Sequence, residues 1–166
     1  MTAADVVAAD NAAALEQQVR QLIYRGCLQM DQGDFTAWLE DSTAPDFQYT
    51  ISAWSPEILR EQIWLDHDRE GLGHLIKLLP KHNSDLTPLA RHATVYTIDL
   101  DAASGEARVV TSVAIFQTAL DGGETSLFAL ARYHDIVVFD GGRPRLRRRV
   151  VKLETRSLGI GKHWPL

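Results

Sequence analysis

The side chains that could do acid–base chemistry are His92, Tyr133 and Asp135. Histidine titrates near neutral pH, so it could remove a proton if all three side chains opened into one cavity. On a strand, Tyr133 and Asp135 share one face, whereas Arg132 and His134 share the other. The alternative is that His92 ends a hydrogen-bond network or lies at a subunit contact. We favour this alternative, because the sequence shows no complete catalytic triad.

A second polar group, Asp66-His67-Asp68, has residue types that could bind a metal. We interpret this segment as helical, and neighbouring residues on a helix point about 100° apart, so the three side chains would not converge on one ion. A solvated or interface surface is the expectation. Cys27 is the single cysteine, so this chain alone cannot form a disulfide or a cysteine-rich zinc or iron–sulfur site.

The strongest charge feature is a run of arginines: Arg143, Arg145, Arg147, Arg148 and Arg149. The chain as a whole has a formal charge of -5 and a pI near 5.6, which argues against nucleic acid as the partner. Arginine binds carboxylates with two parallel hydrogen bonds and is enriched at protein interfaces. The run therefore predicts a surface that pairs with a partner subunit.

The beginning of the chain has neither a basic start nor a continuous apolar stretch. Nowhere do about 18 uninterrupted apolar residues occur. We therefore expect a cytoplasmic protein with no signal peptide and no membrane span.

The first part of the chain predicts two helices. One face of the first helix is marked by apolar residues at three- and four-residue steps: Leu15, Val19, Leu22, Ile23, Cys27 and Met30. Asp10 or Asn11 would cap its start, and Gly33 would end it. Asp34 would cap a short second helix with an apolar face of Phe35, Trp38 and Leu39.

The next segment predicts a strand and a long helix. The strand covers residues 47–53, which are rich in aromatic and β-branched side chains, and Pro45-Asp46 forms a turn before it. The helix opens at Ser55-Pro56-Glu57, because proline is favoured in a first helical turn, and it ends at Pro80.

After Pro88 the pattern changes to four β-rich runs at residues 91–100, 107–120, 125–139 and 145–156. Compact turns with Asp and Gly join them, which predicts an antiparallel meander. Helices followed by a long curved meander indicate an α+β fold, a cone with helices packed on a strongly curved antiparallel sheet. We expect one domain over residues 1–166, with a flexible N-terminus at 1–10 and a C-terminal tail at 157–166.

The order of these strands, and short motifs inside them, resembles the small (β) subunits of Rieske-type aromatic-ring-hydroxylating dioxygenases. The motifs are Arg91-His92, Ser112 to Phe116, Ala131-Arg132-Tyr133-His134-Asp135, Arg148-Arg149-Val150-Val151-Lys152-Leu153-Glu154 and the tail Leu158 to Leu166. The chain departs from that family at Pro144, where Trp is usual, and at Glu154, where Asp is commoner. Residues 52–57, 64–68 and 82–85 resemble the methanesulfonate monooxygenase branch.

The resemblance implies a cystatin-like, NTF2-like fold in an assembly of three large and three small subunits. The large subunit would carry a Rieske [2Fe–2S] cluster and a mononuclear Fe(II), and this chain would hold no cofactor and no metal. Its role would be structural support during hydroxylation of an aromatic or small organic substrate, a sulfonate included. When alone it would form a homotrimer or another homo-oligomer. The residues implied at the subunit interface are Arg91, His92, Arg132, Arg148, Arg149 and Trp164.

Two other functions stay open at the level of sequence, because one fold hosts many functions. The first is a stand-alone isomerase or dehydratase of the same fold that uses His92, Asp135 and Tyr133 as acid–base groups. The second is a homo-oligomer that binds a small molecule. An enzyme needs an open apolar cavity inside the cone, whereas a supporting subunit fills the cone with side chains.

Overall fold

The computed structural model describes residues 3–82, 85–101, 103–158 and 165–166. In that part of the chain three helices pack on one six-stranded sheet with the order β2-β1-β6-β5-β4-β3. The helices are α1 (Ala3–Asp31), α2 (Phe35–Ser42) and α3 (Arg69–His82). The strands are β1 (Thr43–Ser55), β2 (Arg60–Asp68), β3 (Leu89–Asp101), β4 (Glu106–Thr118), β5 (Thr125–Asp140) and β6 (Arg143–Leu153).

The meander from β3 to β6 is antiparallel at each step, as the sequence predicts. Its last turn depends on Gly141 and Gly142, whose φ angles of 55° and 81° lie in the left-handed region that glycine adopts without steric cost. The sheet then continues through a pairing that the sequence did not predict, because β1 lies parallel to β6. No hairpin can join a parallel pair, so no local turn signal marks it.

Helix α1 buries the predicted apolar residues Val19, Ile23, Cys27 and Met30. It begins at Ala3, so the prediction that Asp10 or Asn11 caps its start is wrong. The physical reason is the alanine-rich stretch before and after those two positions, since alanine has the highest helix propensity and extends the helix upstream.

The long helix predicted from Ser55 to Pro80 is also wrong. The chain instead forms a hairpin of β1 and β2, and α3 begins only at Arg69. Apolar residues in this segment are too few to separate a helical from a strand period, and pairing with β1 decides in favour of the strand. Strand β1 also extends over Pro45 and Asp46, which were predicted as a turn, because its pairing with β6 begins at Thr43 before them and resumes at Gln48 after them.

The core lies between the helices and the face of the sheet that they cover, which we call the inner face. Trp38 of α2 is fully buried there, with edge-on contacts to the rings of Phe47 and Tyr49 at centroid distances of 6.1 and 6.0 Å. Such contacts add to the stabilisation from apolar burial. Helix α2 therefore fixes the start of β1 against the rest of the sheet.

The turn between α1 and α2 offers a first test. Gly33 has a φ of 75°, and the carboxylate of Asp34 accepts a hydrogen bond from the Ala37 amide at 3.0 Å. Replacing Asp34 with Ala should lower the free energy of unfolding by about 1 kcal/mol, because one helix N-terminal amide loses its cap. Urea unfolding measures this change. Thr36→Ala, at an exposed position of the same helix, is the control, and an equal loss there would contradict the capping role.

Candidate subunit interface

A buried ion pair occupies the centre of the inner face. Arg149 on β6 lies opposite Asp135 on β5 in the strand register. Its Nε donates to Oδ1 of Asp135 at 2.9 Å and its Nη2 donates to Oδ2 at 2.8 Å. The two side chains are 1% and 0% exposed. Both carboxylate oxygens are therefore engaged by one guanidinium, away from solvent.

The ring of Tyr133 lies under this pair. The Arg149 guanidinium carbon is 4.1 Å from the ring centroid, a distance at which a cation is attracted by an aromatic face. Burial raises the pKa of Tyr133 far above its usual range. Its hydroxyl oxygen and Arg149 Nη1 have no hydrogen-bond partner among the described residues. Tyr133 is thus a neutral packing residue at neutral pH.

A second cation, Arg91 on β3, ties the open end of the cone to α1. Its Nη1 donates to Oδ1 of Asp31 at 2.7 Å, and its backbone amide donates to Oδ2 of the same carboxylate at 2.9 Å. Its Nη2 donates to the carbonyl of Pro165 at 2.8 Å. Arg91 therefore joins a strand, the end of α1 and the C-terminal residues.

Tyr49 holds the neighbouring residue of that C-terminal segment. Its hydroxyl donates to the Leu166 carbonyl at 2.9 Å and accepts from the Leu166 amide at 2.8 Å. Pro165 and Leu166 are buried, so two residues of the predicted tail fold back onto the chain itself. They cover the inner face beside Arg91.

The interior of the cone is filled with side chains. Its largest fully buried members are Trp38, Arg149, Tyr49, Tyr133, Phe47, Ile23 and Leu72. Cys27 is buried beside them, and burial raises the pKa of its thiol. A thiol that resists ionisation is a poor nucleophile. The Cys27 thiol is therefore not set up to react as a nucleophile.

The structure does not bring the three acid–base residues together. His92 is exposed on the opposite, outer face of the sheet, where its ring meets that of Phe116 edge-on at 5.3 Å. Tyr133 and Asp135 are buried on the inner face. A proton cannot pass from one side of the sheet to the other by direct contact. The geometry therefore gives no support to a general-base site made of these residues.

The outer face carries cationic side chains around half-buried valines. Val110, His134 and Val150 are direct neighbours across β4, β5 and β6. Arg132 and Lys152 form the next cross-strand pair. Partial burial, followed by the charge of Lys152, lowers the pKa of His134. The lowered pKa favours the neutral imidazole among positive neighbours.

The hairpin of β1 and β2 exposes several large apolar side chains. Its large exposed side chains are Trp54, Ile58, Leu59, Ile63 and Trp64. Contiguous exposed apolar patches on proteins are typical of interaction sites. Sequence reasoning missed this surface, because a helix over these residues would have placed some of them against the core.

Comparison with known proteins gives the family. The model of the SnoaL-like domain matches residues 11–150. The β subunit of the methanesulfonate monooxygenase hydroxylase from Methylosulfonomonas methylovora is 39% identical, over 89% of this chain and 85% of that protein. The β subunit of 2-aminobenzenesulfonate 2,3-dioxygenase from Alcaligenes sp is 33% identical, over 89% of this chain and 97% of that protein. The chain belongs to this family of oxygenase β subunits.

The family assignment confirms the resemblance drawn from the strand motifs, the methanesulfonate monooxygenase branch included. The fold is confirmed as well. An NTF2-like protein with a cystatin-like fold from Novosphingobium aromaticivorans superposes with a TM-score of 0.67 at 16% identity, over 94% of this chain and 92% of that one.

The residues predicted for the subunit interface of this β subunit separate into three groups. Arg91 and Arg149 lie in the interior, where their guanidinium groups already pair with Asp31 and Asp135. His92, Arg132 and Arg148 are exposed on the outer face. Trp164 lies outside the described residues. Of the predicted interface residues, only His92, Arg132 and Arg148 are therefore placed where another subunit could contact them.

The segment Asp66-His67-Asp68 is the end of β2 and not a helix. Asp66 accepts a hydrogen bond from the Thr50 hydroxyl at 2.9 Å, and Asp68 caps α3 through the Gly71 amide at 2.8 Å. These two carboxylates therefore have structural partners. Among the residues that the structure describes, no group of three His, Cys, Asp or Glu side chains could hold a metal ion.

No helix in the described ranges is long and apolar enough to cross a membrane.

The buried pair predicts an asymmetric response to mutation. Asp135→Asn should lower the free energy of unfolding by about 3–5 kcal/mol, because it leaves the Arg149 charge buried without a compensating carboxylate. Replacing both partners, as Asp135→Leu with Arg149→Met, should restore much of this loss. Urea unfolding measures all variants.

The control for this test is Glu154→Gln, which breaks the half-exposed pair of Glu154 with Arg132. That change should cost less than about 1 kcal/mol, since solvent screens the pair. If Asp135→Asn lowered the free energy of unfolding by no more than Glu154→Gln does, the buried pair would not be an important contribution to stability.

Tyr49 predicts a loss of stability at alkaline pH. Burial raises its pKa from 10.0 to about 12. The folded state then keeps a proton that the unfolded state releases, so this contribution is complete below pH 10 and is lost as the pH rises through about 12. Between about pH 9 and about pH 11.5 the wild type should lose about 2 kcal/mol more than Tyr49→Phe in urea unfolding. Equal losses in both proteins would contradict this role of Tyr49.

Proposed function

We propose that this chain is the non-catalytic small subunit of a Rieske non-haem iron oxygenase. It supports a large subunit that carries the [2Fe–2S] cluster and the mononuclear iron. The observation that carries the proposal is the filled cone, in which Arg149 occupies both oxygens of Asp135. A carboxylate that is engaged in this way and is 0% exposed has no direct access to a substrate proton.

The two curated relatives support the same assignment. Both are named as β subunits of oxygenases, and each match covers 89% of this chain. Their names point to methanesulfonate and 2-aminobenzenesulfonate as the compounds oxidised by those complexes. The complex containing this chain would accordingly oxidise a small organic or aromatic compound, a sulfonate being the leading class, in the cytoplasm.

Two surfaces are suited to contact between subunits. The outer face offers Arg132 and Arg148, and Arg148 has no ion-pair partner among the described residues. The β1–β2 hairpin offers exposed Ile63 and Trp64 on an edge strand. Interfaces commonly combine buried aromatic residues with arginines. We assign the hairpin to the large subunit and the outer face to contacts within an assembly of three large and three small subunits.

The stand-alone enzyme is not favoured, because the structure separates His92 from Tyr133 and Asp135 by the thickness of the sheet. The fold alone would have permitted it. The geometry supplies no reason to assign a proton transfer to this chain.

A pull-down of the tagged chain from its native host tests the proposal. A larger chain with bound iron and Rieske-type absorbance should co-purify in equal proportion. Trp64→Lys with Ile63→Lys should reduce the recovered large chain at least tenfold, because buried charge on the hairpin would lose its hydration in the contact. Circular dichroism should stay unchanged, since exposed substitutions seldom unfold a domain.

The matched control is Lys77→Glu, a charge reversal at an exposed position of α3, which should leave recovery unchanged. Arg148→Glu tests the outer face, with a lowered molar mass of the isolated chain as its expected result. Arg149 is not suitable for such a test, because its replacement would disturb the core. Purification of the chain alone and without iron would refute the small-subunit assignment.

A further inference from the structure

A polar cleft of about 450 Å³ opens on the surface of the domain. It lies between the middle of α1, the end of α2 and the start of β6. Three arginines line it: Arg25, Arg143 and Arg145. Asp41 is the single acidic residue of the lining. The cleft is therefore cationic in a chain whose formal charge is -5.

The backbone holds these arginines in place from two sides. Arg25 projects from α1, and the left-handed turn at Gly141 and Gly142 directly precedes Arg143. Arg145 is anchored, because its Nη1 donates to the carbonyls of Glu40 and Thr43 at 3.1 Å each. The Arg145 guanidinium is thus fixed to the end of α2, while Arg25 lies on the α1 side of the cleft and Arg143 on the β6 side.

The arginines are not neutralised inside the chain. Arg25 and Arg143 have no ion pair with any described residue, and the contact of Arg145 with Asp140 is 3.9 Å long with that carboxylate 72% exposed. Asp41 instead accepts a hydrogen bond from Gln29 at 3.0 Å. Unpaired arginines that converge on a concave surface are the usual protein site for an oxyanion.

Ser42 gives an independent observation. Ser42 is one of the lining residues, it is 1% exposed, and its hydroxyl has no hydrogen-bond partner in the described part of the chain. A buried hydroxyl without a partner is costly, and a rotation of the Ser42 side chain toward the cleft would let a ligand oxygen satisfy it. Leu22 and Pro144 line the same cleft and give it an apolar wall.

We infer that this cleft binds a small organic oxyanion, a carboxylate or sulfonate with a compact apolar group. The arginines would hold the oxygens, the Ser42 hydroxyl would donate to one of them, and Leu22 and Pro144 would contact the apolar part. The volume is within the range of small-molecule sites. The inference rests on the residues of this cleft and not on the proposed function.

Isothermal titration calorimetry of the whole chain with benzenesulfonate and with benzoate tests the inference. At least one should bind saturably at physiological salt. Arg143→Gln and Arg25→Gln should each weaken binding at least tenfold, because each removes a charge-assisted contact. Lys77→Gln is the control, since it removes a cation at an exposed position of α3 that does not line the cleft, and it should bind as the wild type does.

Three results would overturn the inference. The first is the absence of saturable binding by both probes, and the second is an equal loss of affinity in Lys77→Gln. The third is loss of binding on assembly with the large chain, which would make the cleft a protein contact. Inorganic sulfate should bind at least tenfold more weakly than benzenesulfonate, and equal affinity would refute the role of the apolar wall. The pull-down tests the small-subunit assignment and calorimetry tests the oxyanion cleft, so one proposal can fail while the other holds.

Discussion

The fold depends on the buried ion pair between Asp135 and Arg149, because the surrounding elements must keep both charges paired and away from water. A buried charge is tolerated only if a fixed opposite charge and a closed surrounding replace the water that it lost. Cross-strand register supplies the first condition, since β5 and β6 place the two residues opposite one another. The helices, the aromatic rings and the C-terminal residues supply the second.

The closed surrounding has several independent parts. Tyr133 covers the guanidinium of Arg149, and α1 brings Cys27 and Met30 over the same face. Arg91 and Tyr49 then hold Pro165 and Leu166 across the open end of the cone. Asp135, Arg91 and Tyr49 find hydrogen-bond partners inside the chain, whereas the Tyr133 hydroxyl and Arg149 Nη1 have none among the described residues. An interior built in this way stabilises the domain and keeps Asp135 and Arg149 away from solvent.

The surfaces suited to a function accordingly lie on the outside of the domain. The outer face has cationic residues around half-buried valines, the β1–β2 hairpin exposes large apolar side chains, and a cationic cleft lies beside α1. These surfaces use residue types that the interior excludes unless they are paired. A supporting subunit needs such surfaces, because its partners recognise its exterior.

Sequence by itself determined the features that depend on near neighbours along the chain. The glycine turns fixed the β3–β6 meander, the spacing of Val19, Ile23 and Cys27 fixed the buried face of α1, and strand alternation placed Tyr133 and Asp135 together. Tertiary structure alone decided the rest. Arg148 and Arg149 are adjacent arginines in the sequence, yet one is exposed and the other is buried. The helices cover one face of the sheet, and β1 lies parallel to β6. Both features depend on contacts between residues about a hundred positions apart, which local sequence patterns cannot predict.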